Sequence, residues 1–220
     1  MLSFVVPAHN EERLLQGTLD AIREAASTTG ELYEVIVVDD ASTDRTAFVA
    51  ESCGVRVVRV AHRQIAASRN SGAKSAIGDL LFFVDADTRV NPEVIGQSIA
   101  AVRAGAVGGG AAIKFDDPIP FYARVLLPIL VLSFRMSRLA AGCFVFCTRD
   151  AFAAVGGFNE AYFGAEEVII SRALGRQGRF VILRSTVVTS GRKLRGYSAA
   201  ELMTSMFRVA RRGTKGVQRR

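Results

Sequence analysis

The sequence predicts an α/β domain in which a mainly parallel β-sheet carries helices on both faces. Apolar runs of five or six residues alternate with segments whose apolar residues recur at helical spacing. Strand, helix, strand, helix at this spacing is typical of a parallel sheet wrapped on both sides. The chain has 220 residues, of which 50% are hydrophobic. That is enough to bury one good core, so we expect one domain.

Four apolar runs in the first part of the chain are the predicted strands: residues 2–6, 33–38, 55–60 and 80–84. Asn10 is expected to cap the first helix, and Ser42 or Thr43 the second, because short polar side chains bond the free amides of a helix start. Polar residues follow three of these runs, namely His9 and Asn10, Asp39 and Asp40, and Asp85 and Asp87. In an open parallel sheet these strand ends share one edge, where ligands bind.

The run at residues 80–84 carries no charge and then meets Asp85 and Asp87. In extended backbone, residues two apart point to the same side, so both carboxylates are expected to face one crevice. Hard divalent ions such as Mg²⁺ or Mn²⁺ suit such a pair and take further ligands from substrate phosphates. The alternative is a loop with two solvated aspartates, followed by a helix capped near Asn91 and Pro92.

Several motifs in order resemble the family 2 glycosyltransferases, which are inverting enzymes with a Rossmann-like GT-A fold. The motifs are LSFVVPAHNEE (2–12), VVDDAS (37–42), ASRNSG (67–72), FFVDAD (82–87), VGGF (155–158), EE (166–167) and TSGR (189–192). The resemblance covers the chain to about residue 195. We therefore expect a glycosyltransferase domain at 1–195, with a nucleotide-sugar-binding half at 1–115 and an acceptor and catalytic half at 116–195.

The resemblance implies a role for each matching residue on the donor side. The pocket for the nucleotide base and ribose would be lined by Pro7, His9, Asn10, Glu11, Asp39 and Asp40. Asp85 and Asp87 would hold the ribose and a divalent ion, Mn²⁺ or Mg²⁺, that bridges the diphosphate. Arg69 and Asn70 would brace the nucleotide loop or contact phosphate; the alternative for Arg69 is a structural ion pair with Asp39, Asp40 or Asp85. Arg192 would add positive charge near the diphosphate.

The resemblance also implies a catalytic base on the acceptor side. An inverting transfer needs one carboxylate to take the proton of the acceptor hydroxyl. The family usually supplies it as the Asp of a Glu-Asp pair; here Glu167 occupies that position, and Glu166 is the second candidate. The alternative is that both are favourable acids in the first turn of a helix.

The end of the chain is strongly basic. Residues 192–220 contain nine Lys or Arg and one acid, Glu201, out of a net charge of +7 for the whole chain. We expect residues 196–220 to form an amphipathic helix and a basic tail that contacts anionic lipid; the alternative is a tail that only adds solubility. Nucleic acid is not an expected partner, because the aromatic residues typical of single-strand binding are missing. Residues 119–134 include an apolar stretch too short to span a bilayer, which would lie on the membrane or form a buried helix beside the acceptor.

Three cysteines, Cys53, Cys143 and Cys147, make neither an even disulfide framework nor a metal pattern. Cys143 and Cys147 are expected to share one face of a buried strand. The chain enters its first predicted strand at Leu2, so we expect no signal peptide and a cytoplasmic protein, in peripheral contact with the inner face of the membrane.

The expected function is transfer of a sugar from a nucleoside diphosphate sugar to a hydroxyl acceptor, which a lipid could carry. A UDP-sugar is the favoured donor and a GDP-sugar the next. The competing hypothesis is a non-catalytic sugar-nucleotide-binding or scaffold protein with a degenerate site.

Overall fold

The computed structural model describes residues 1–116, 137, 139–140, 142–162 and 166–192. In these ranges one eight-stranded sheet is flanked by six helices. The strands are β1 (Leu2–Ala8), β2 (Tyr33–Asp40), β3 (Arg56–Val60), β4 (Leu80–Val84), β5 (Thr88–Arg89), β6 (Ala106–Phe115), β7 (Phe144–Thr148) and β8 (Arg179–Thr189). The helices are α1 (Leu15–Ser27), α2 (Thr46–Ser52), α3 (Ile65–Ser75), α4 (Pro92–Arg103), α5 (Arg149–Ala154) and α6 (Glu166–Gln177).

The strand order is β3-β2-β1-β4-β7-β6-β8-β5. The first four of these pair in parallel, and β8 pairs in parallel with β6. Only β7 and the two-residue β5 run against their neighbours. The predicted mainly parallel sheet is therefore confirmed, with the strand ends of β1, β2 and β4 at one edge.

Two hydrophobic clusters cover the two faces of the sheet, one more than the single core expected from composition, and helices pack on both faces as predicted. One contains Phe4 and Phe82, whose rings stack at 4.7 Å, and packs under α1, α2 and α4. The other contains Val5 and Phe83 and packs under α3, α5 and α6. Alternation along each strand sends neighbouring residues to opposite faces. At Gly72 of α3 a Cβ would overlap the side chain of Val5, so the glycine allows this helix to approach β1 closely.

Two predicted helix caps are wrong. Asn10 does not cap α1, because its backbone is left-handed (φ 56°) and its Oδ1 accepts from the Thr43 amide at 2.8 Å. It ties the loop after β1 to the loop after β2 instead. Neither Ser42 nor Thr43 caps α2; the carboxylate of Asp44 accepts from the Thr46 amide at 2.9 Å. Asn91, by contrast, does cap α4, accepting from the Val94 amide at 2.9 Å.

The cysteines also differ from expectation. Cys147 lies in the core beneath α3 and α6, whereas Cys143 lies in the opposite core. Cys143 belongs to the turn before β7, so strand alternation does not extend to it. Burial raises the pKa of both thiols, which makes them packing residues rather than nucleophiles.

Both segments assigned to membrane contact, 119–134 and 196–220, lie outside the described residues. Within the described part of the chain, no helix is long and apolar enough to cross a bilayer.

Candidate functional site

An open cleft of about 440 Å³ lies at the carboxyl ends of β1, β2 and β4. Its walls are the ends of these strands and the start of α3. The lining residues are Pro7, Ala8, His9, Glu11, Asp40, Arg63, Gln64, Ile65, Ser68, Asp85, Ala86 and Asp87. This is the edge at which an open α/β sheet binds its ligands.

Asp85 and Asp87 both line the cleft, as their spacing predicted. The Asp85 amide donates to the Cys143 carbonyl at 3.1 Å, which fixes the turn after β4. The Ser190 amide donates to the Asp87 carbonyl at 3.2 Å, and the Thr189 hydroxyl reaches the Asp87 carboxylate at 3.4 Å. The end of β8 therefore holds the carboxylate of Asp87, and the turn before β7 fixes the backbone of Asp85.

The donor atoms at this pair fit a hard divalent ion. Both carboxylates face the same cleft, and the guanidinium of Arg192 already places a positive charge 3.5 Å from Asp87 Oδ2. No cluster of three or more His, Cys, Asp or Glu side chains that could hold a metal occurs among the described residues. An ion bound here would thus take ligands from a substrate diphosphate or water besides Asp85 and Asp87.

Arg192 extends from the segment after β8 to the mouth of the cleft. Its guanidinium makes an ion pair with Glu11 and a longer one with Asp87. One cation therefore lies between two carboxylates that come from the ends of β1 and β4. Arg192 is in the region where a diphosphate would lie if it contacted Asp87.

His9 lies at the cleft wall, and its position is fixed by a backbone contact. Its Nδ1 is 2.6 Å from the carbonyl oxygen of Asp40. Because a carbonyl oxygen only accepts, Nδ1 must carry the proton in this contact. Asn10, next in sequence, is outside the lining; its amide donates to the Ser42 hydroxyl at 3.0 Å.

Asp39 and Asp40 are adjacent, yet their side chains lie on opposite faces of β2. Asp40 lines the cleft and accepts from the amides of Arg63 at 2.7 Å and Gln64 at 2.9 Å, and from the Ser68 hydroxyl at 2.7 Å. Burial alone would raise the pKa of Asp40, but these donors lower it below its usual value. Asp40 thus anchors the start of α3 while it faces the cleft. Asp39 is outside the lining and accepts from the Ser42 amide at 3.3 Å.

Arg69 is almost completely buried behind the cleft, with 1% of its side chain exposed. Nη2 donates to Asp85 Oδ1 and to the Gly142 carbonyl, each at 2.7 Å, and Nη1 donates to Glu166 Oε1 at 3.0 Å. Burial lowers the pKa of Arg69, but the carboxylates of Asp85 and Glu166 raise it by more, so the guanidinium stays charged. The predicted alternative of an ion pair with Asp85 is present, and the contact with Glu166 is additional.

Glu166 and Glu167 begin α6. The carboxylate of Glu166 is buried against Arg69. Burial, and then the negative charge of Glu166, raise the pKa of Glu167 to about 7. A Cβ added to Gly142 would come within 3.2 Å of Glu167 Cδ, so the glycine leaves room for this carboxyl group. A carboxyl group with this pKa can exchange a proton near neutral pH.

Asn70 of α3 and Gln64, the residue just before this helix, hold the segment that leads to α6, a role that the sequence did not indicate. Asn70 Nδ2 donates to the Phe158 carbonyl at 2.9 Å, and the Phe158 amide donates to Asn70 Oδ1 at 2.9 Å. Gln64 Nε2 donates to the carbonyl of Glu160 at 2.5 Å. Asn70 was predicted to brace the nucleotide loop from the ASRNSG motif, whereas nothing in the sequence pointed to Gln64.

Solved structures share this fold. The mannosyltransferase PcManGT from Pyrobaculum calidifontis, in complex with GDP-Man and Mn²⁺, superposes with a TM-score of 0.71 at 19% identity, over 94% of this chain and 64% of that one. Residues 1–349 of S. aureus TarS with UDP-GlcNAc give a TM-score of 0.67 at 19% identity, over 86% of this chain and 58% of that one. At these identities the likeness establishes the fold.

Curated relatives match over shorter stretches. Validoxylamine A glucosyltransferase from Streptomyces hygroscopicus subsp. limoneus is 35% identical over 111 residues, which are 48% of this chain and 24% of the relative. Undecaprenyl-phosphate 4-deoxy-4-formamido-L-arabinose transferase from Edwardsiella ictaluri (strain 93-146) is 35% identical over 116 residues, 47% of this chain and 34% of the relative. The matched segments thus span about a quarter and about a third of these two proteins.

The family model described as glycosyl transferase family 2 matches residues 3–152. That range contains every strand end that lines the cleft, together with Arg69 and Asn70, and stops before α6. Together with the sheet order and the position of the cleft, the match gives one conclusion: the chain belongs to glycosyl transferase family 2.

Proposed function

We propose that the chain is an inverting glycosyltransferase that moves a sugar from a nucleoside diphosphate sugar to a hydroxyl acceptor, with a divalent metal. One observation carries this proposal: a buried arginine, Arg69, connects Asp85 at the donor cleft to α6, where Glu167 has a pKa of about 7. Two carboxylates for a metal and donor, and one carboxyl group able to accept a proton, therefore lie around one centre.

Asp85 and Asp87 would hold the divalent ion. When bound, the ion supplies positive charge that stabilises the departing diphosphate. Arg192 adds a second positive charge at the same side of the cleft, where it pairs with Glu11 and Asp87. Pro7, His9, Glu11 and Asp40 line the part of the cleft that remains for the nucleoside. Arg69 would act on the donor through Asp85, and Asn10 through the neighbouring His9. Asp39 would position the loop after β2, where it accepts from the Ser42 amide.

A UDP-sugar is the donor we favour, with a GDP-sugar next. The imidazole of His9 offers a smaller stacking face than a tyrosine, which suits a single-ring base better than a purine. The structural neighbours were captured with both nucleotides, UDP-GlcNAc in one and GDP-Man in the other.

Glu167 is the base in this proposal. Its carboxylate accepts the proton of the acceptor hydroxyl while that oxygen forms a bond to the anomeric carbon. The bond from the anomeric carbon to the diphosphate breaks on the opposite face, so the configuration inverts. Glu166 is less suited to the role, since its carboxylate is bonded to Arg69 at 3.0 Å.

The acceptor class follows from the charges near Glu167. Asp85, Glu166 and Glu167 place three acidic groups around one guanidinium, so a phosphate acceptor would meet repulsion and would need no base. A neutral hydroxyl fits better. Transfer to a lipid phosphate is the second candidate, because a relative is named an undecaprenyl-phosphate transferase.

Peripheral contact with a membrane is also proposed. The basic segment 192–220 and the apolar stretch within 119–134 support it on sequence grounds. The second relative is named for a lipid phosphate, undecaprenyl-phosphate, which agrees with work at a membrane surface. Co-sedimentation with vesicles tests this proposal: stronger binding to anionic than to neutral lipid is expected, and equal binding would contradict it.

A non-catalytic sugar-nucleotide-binding or scaffold protein is the competing function. It would bind nucleotide without turnover. The raised pKa of Glu167 argues against it, because carboxyl groups with a strongly raised pKa are concentrated at sites that perform acid–base chemistry.

Thermal denaturation with UDP, GDP, CDP and TDP, each with Mn²⁺ or with EDTA, tests the donor site. A ligand that binds the folded state raises the melting temperature. We expect one nucleotide to stabilise the protein with Mn²⁺ and much less with EDTA. Asp87→Asn should remove the effect of Mn²⁺, whereas Asp79→Asn, an exposed change at the other end of the sheet, should not. No shift with any nucleotide would refute the donor site.

A further inference from the structure

Arg69 contacts three separate parts of the chain. It lies in the middle of α3, and its guanidinium donates to Asp85 after β4, to the carbonyl of Gly142 before β7, and to Glu166 at the start of α6. These groups are 16, 73 and 97 residues away in sequence. Because 1% of the side chain is exposed, solvent does not compete for these bonds.

The same helix fixes the approach to α6. The guanidinium of Arg69 lies over the ring of Phe158 with 5.1 Å between Cζ and the ring centroid. Asn70, the next residue, bonds the backbone of Phe158 through both its amide nitrogen and its oxygen. Phe158 precedes α6 by one short segment. The side chains at positions 69 and 70 therefore constrain both the start of α6 and the chain that enters it.

The two acids of α6 have different surroundings. Glu166 is bonded to Arg69, whereas Glu167 has no ion pair within the part of the chain that the structure describes. Because Glu166 is buried and bonded to Arg69, it keeps its position. This matters for the adjacent Glu167, since a base must be held within a fraction of an ångström of its target.

We propose that Arg69 is a positioning residue that fixes the base-bearing start of α6 to the donor edge, with Glu166 as its anchor. The inference rests on the proposed function, and it adds a role for two residues that do not touch the reacting atoms. It divides the acidic pair into one residue that reacts, Glu167, and one that is held, Glu166.

Three variants test the proposal. Glu166→Ala removes the anchor, whereas Glu166→Gln keeps an oxygen to which Arg69 can donate. Arg69→Lys keeps the positive charge but loses the bidentate geometry of the guanidinium. Arg149→Lys is the control, since Arg149 is a partly buried arginine whose Nε donates to the Gly78 carbonyl away from the cleft. The measurements are release of nucleoside diphosphate from UDP-GlcNAc and GDP-mannose with Mn²⁺, in which water takes the place of the acceptor hydroxyl and receives the sugar, and the Kd for UDP and GDP with Mn²⁺.

We expect Glu166→Ala to lower kcat by about 100-fold, the effect of misplacing a reacting group by about 1 Å. Its Kd for the nucleotide should stay within about threefold of wild type, because the anchor does not line the cleft. Glu166→Gln should recover most of the lost kcat. Arg149→Lys should lower the melting temperature without changing kcat. If Arg69→Lys does not fold, the two Glu166 variants still decide the question.

Two results would overturn this inference and leave the proposed function standing. One is an unchanged kcat in Glu166→Ala. The other is a kcat in Glu166→Gln as low as in Glu166→Ala, which would make Glu166 a base. A wild-type protein that binds neither UDP nor GDP in the presence of Mn²⁺ would overturn the proposed function and, with it, this inference. Because binding is measured separately from turnover, the two failures are distinguishable.

Discussion

Glu166 and Glu167 are adjacent in the first turn of α6, yet only Glu166 receives the guanidinium of Arg69, at 3.0 Å. The pKa of Glu167 is raised to about 7 by burial and by the charge of its neighbour. Two identical side chains thus acquire different protonation behaviour from their surroundings. This difference is the basis for choosing between them as the base.

Glu167→Gln should abolish sugar transfer while leaving nucleotide binding intact. Loss of a general base lowers kcat by about 10²–10⁴-fold. The Kd for UDP with Mn²⁺, measured by calorimetry, should remain near that of wild type, because Glu167 is outside the cleft lining. A variant with wild-type turnover would show that the reaction does not use this carboxylate, as expected for a phosphate acceptor.

The pH dependence of kcat should follow Glu167. A base acts in its deprotonated form, so activity should rise with pH and level off above about 7. Below that pH the rate should fall about tenfold per unit. The charged groups that face Glu167 are Glu166, Arg69 and Asp85. A steady-state profile from pH 5 to 9 checks this, and a rate that is flat down to pH 5 would indicate an ordinary glutamate.

Glu167 should also make the folded state less stable as pH rises. Its folded pKa is above the usual value, so between about 4.5 and 7 the folded state holds a proton that the unfolded state has lost. The free energy of unfolding therefore falls across this window. Glu167→Gln should melt higher than wild type at pH 8, with a smaller difference at pH 5. The same difference at both pH values would contradict a raised pKa.

Arg192→Gln should make nucleotide binding depend more strongly on metal. The change removes a positive charge from between Glu11 and Asp87. Mn²⁺ should then bind more tightly, because it no longer competes with a guanidinium for Asp87. UDP binding in EDTA should weaken, since a charge available to the diphosphate is lost. Titration of Mn²⁺ and of UDP into both proteins measures the two effects, and weaker Mn²⁺ binding would refute the competition.

Gly157→Ala should destabilise the protein more than Gly156→Ala. Both glycines have left-handed backbones, with φ of 77° and 76°. Such a conformation costs a non-glycine residue about 1–2 kcal/mol. Only at Gly157 would a Cβ also meet Asn70 Oδ1, at 2.7 Å, whereas nothing lies within 4 Å at Gly156. Chemical denaturation of both variants isolates the contact between α3 and the segment before α6; equal losses would show that this contact matters little.

Local pattern was enough to predict the parallel sheet, the helices on both faces and the shared edge of Asp85 and Asp87. Strand and helix periodicity are properties of neighbouring residues, so they can be read without knowing the fold. The separation of Asp39 from Asp40 could also have been predicted, because adjacent residues of a strand face opposite sides.

Other features depend on tertiary contacts. Asparagine is a residue type that often caps helices. The side chain of Asn10 instead accepts from the Thr43 amide in the loop after β2. The pairing of Arg69 with Glu166 joins residues 97 positions apart, which no local pattern specifies. Cys143 follows no strand alternation because it precedes β7. In each case the outcome depended on a partner that is distant in the sequence.

The placement of α3 limits how the chain can be recombined. This helix is encoded in the first half, but Arg69, Asn70 and Gln64 bond the second half at Glu166, Phe158 and Glu160. A chimaera that joins the first 115 residues to the second half of another transferase would inherit these three side chains without matching partners. Swapping acceptor specificity between relatives would therefore require α3 to be exchanged together with the segment that it holds.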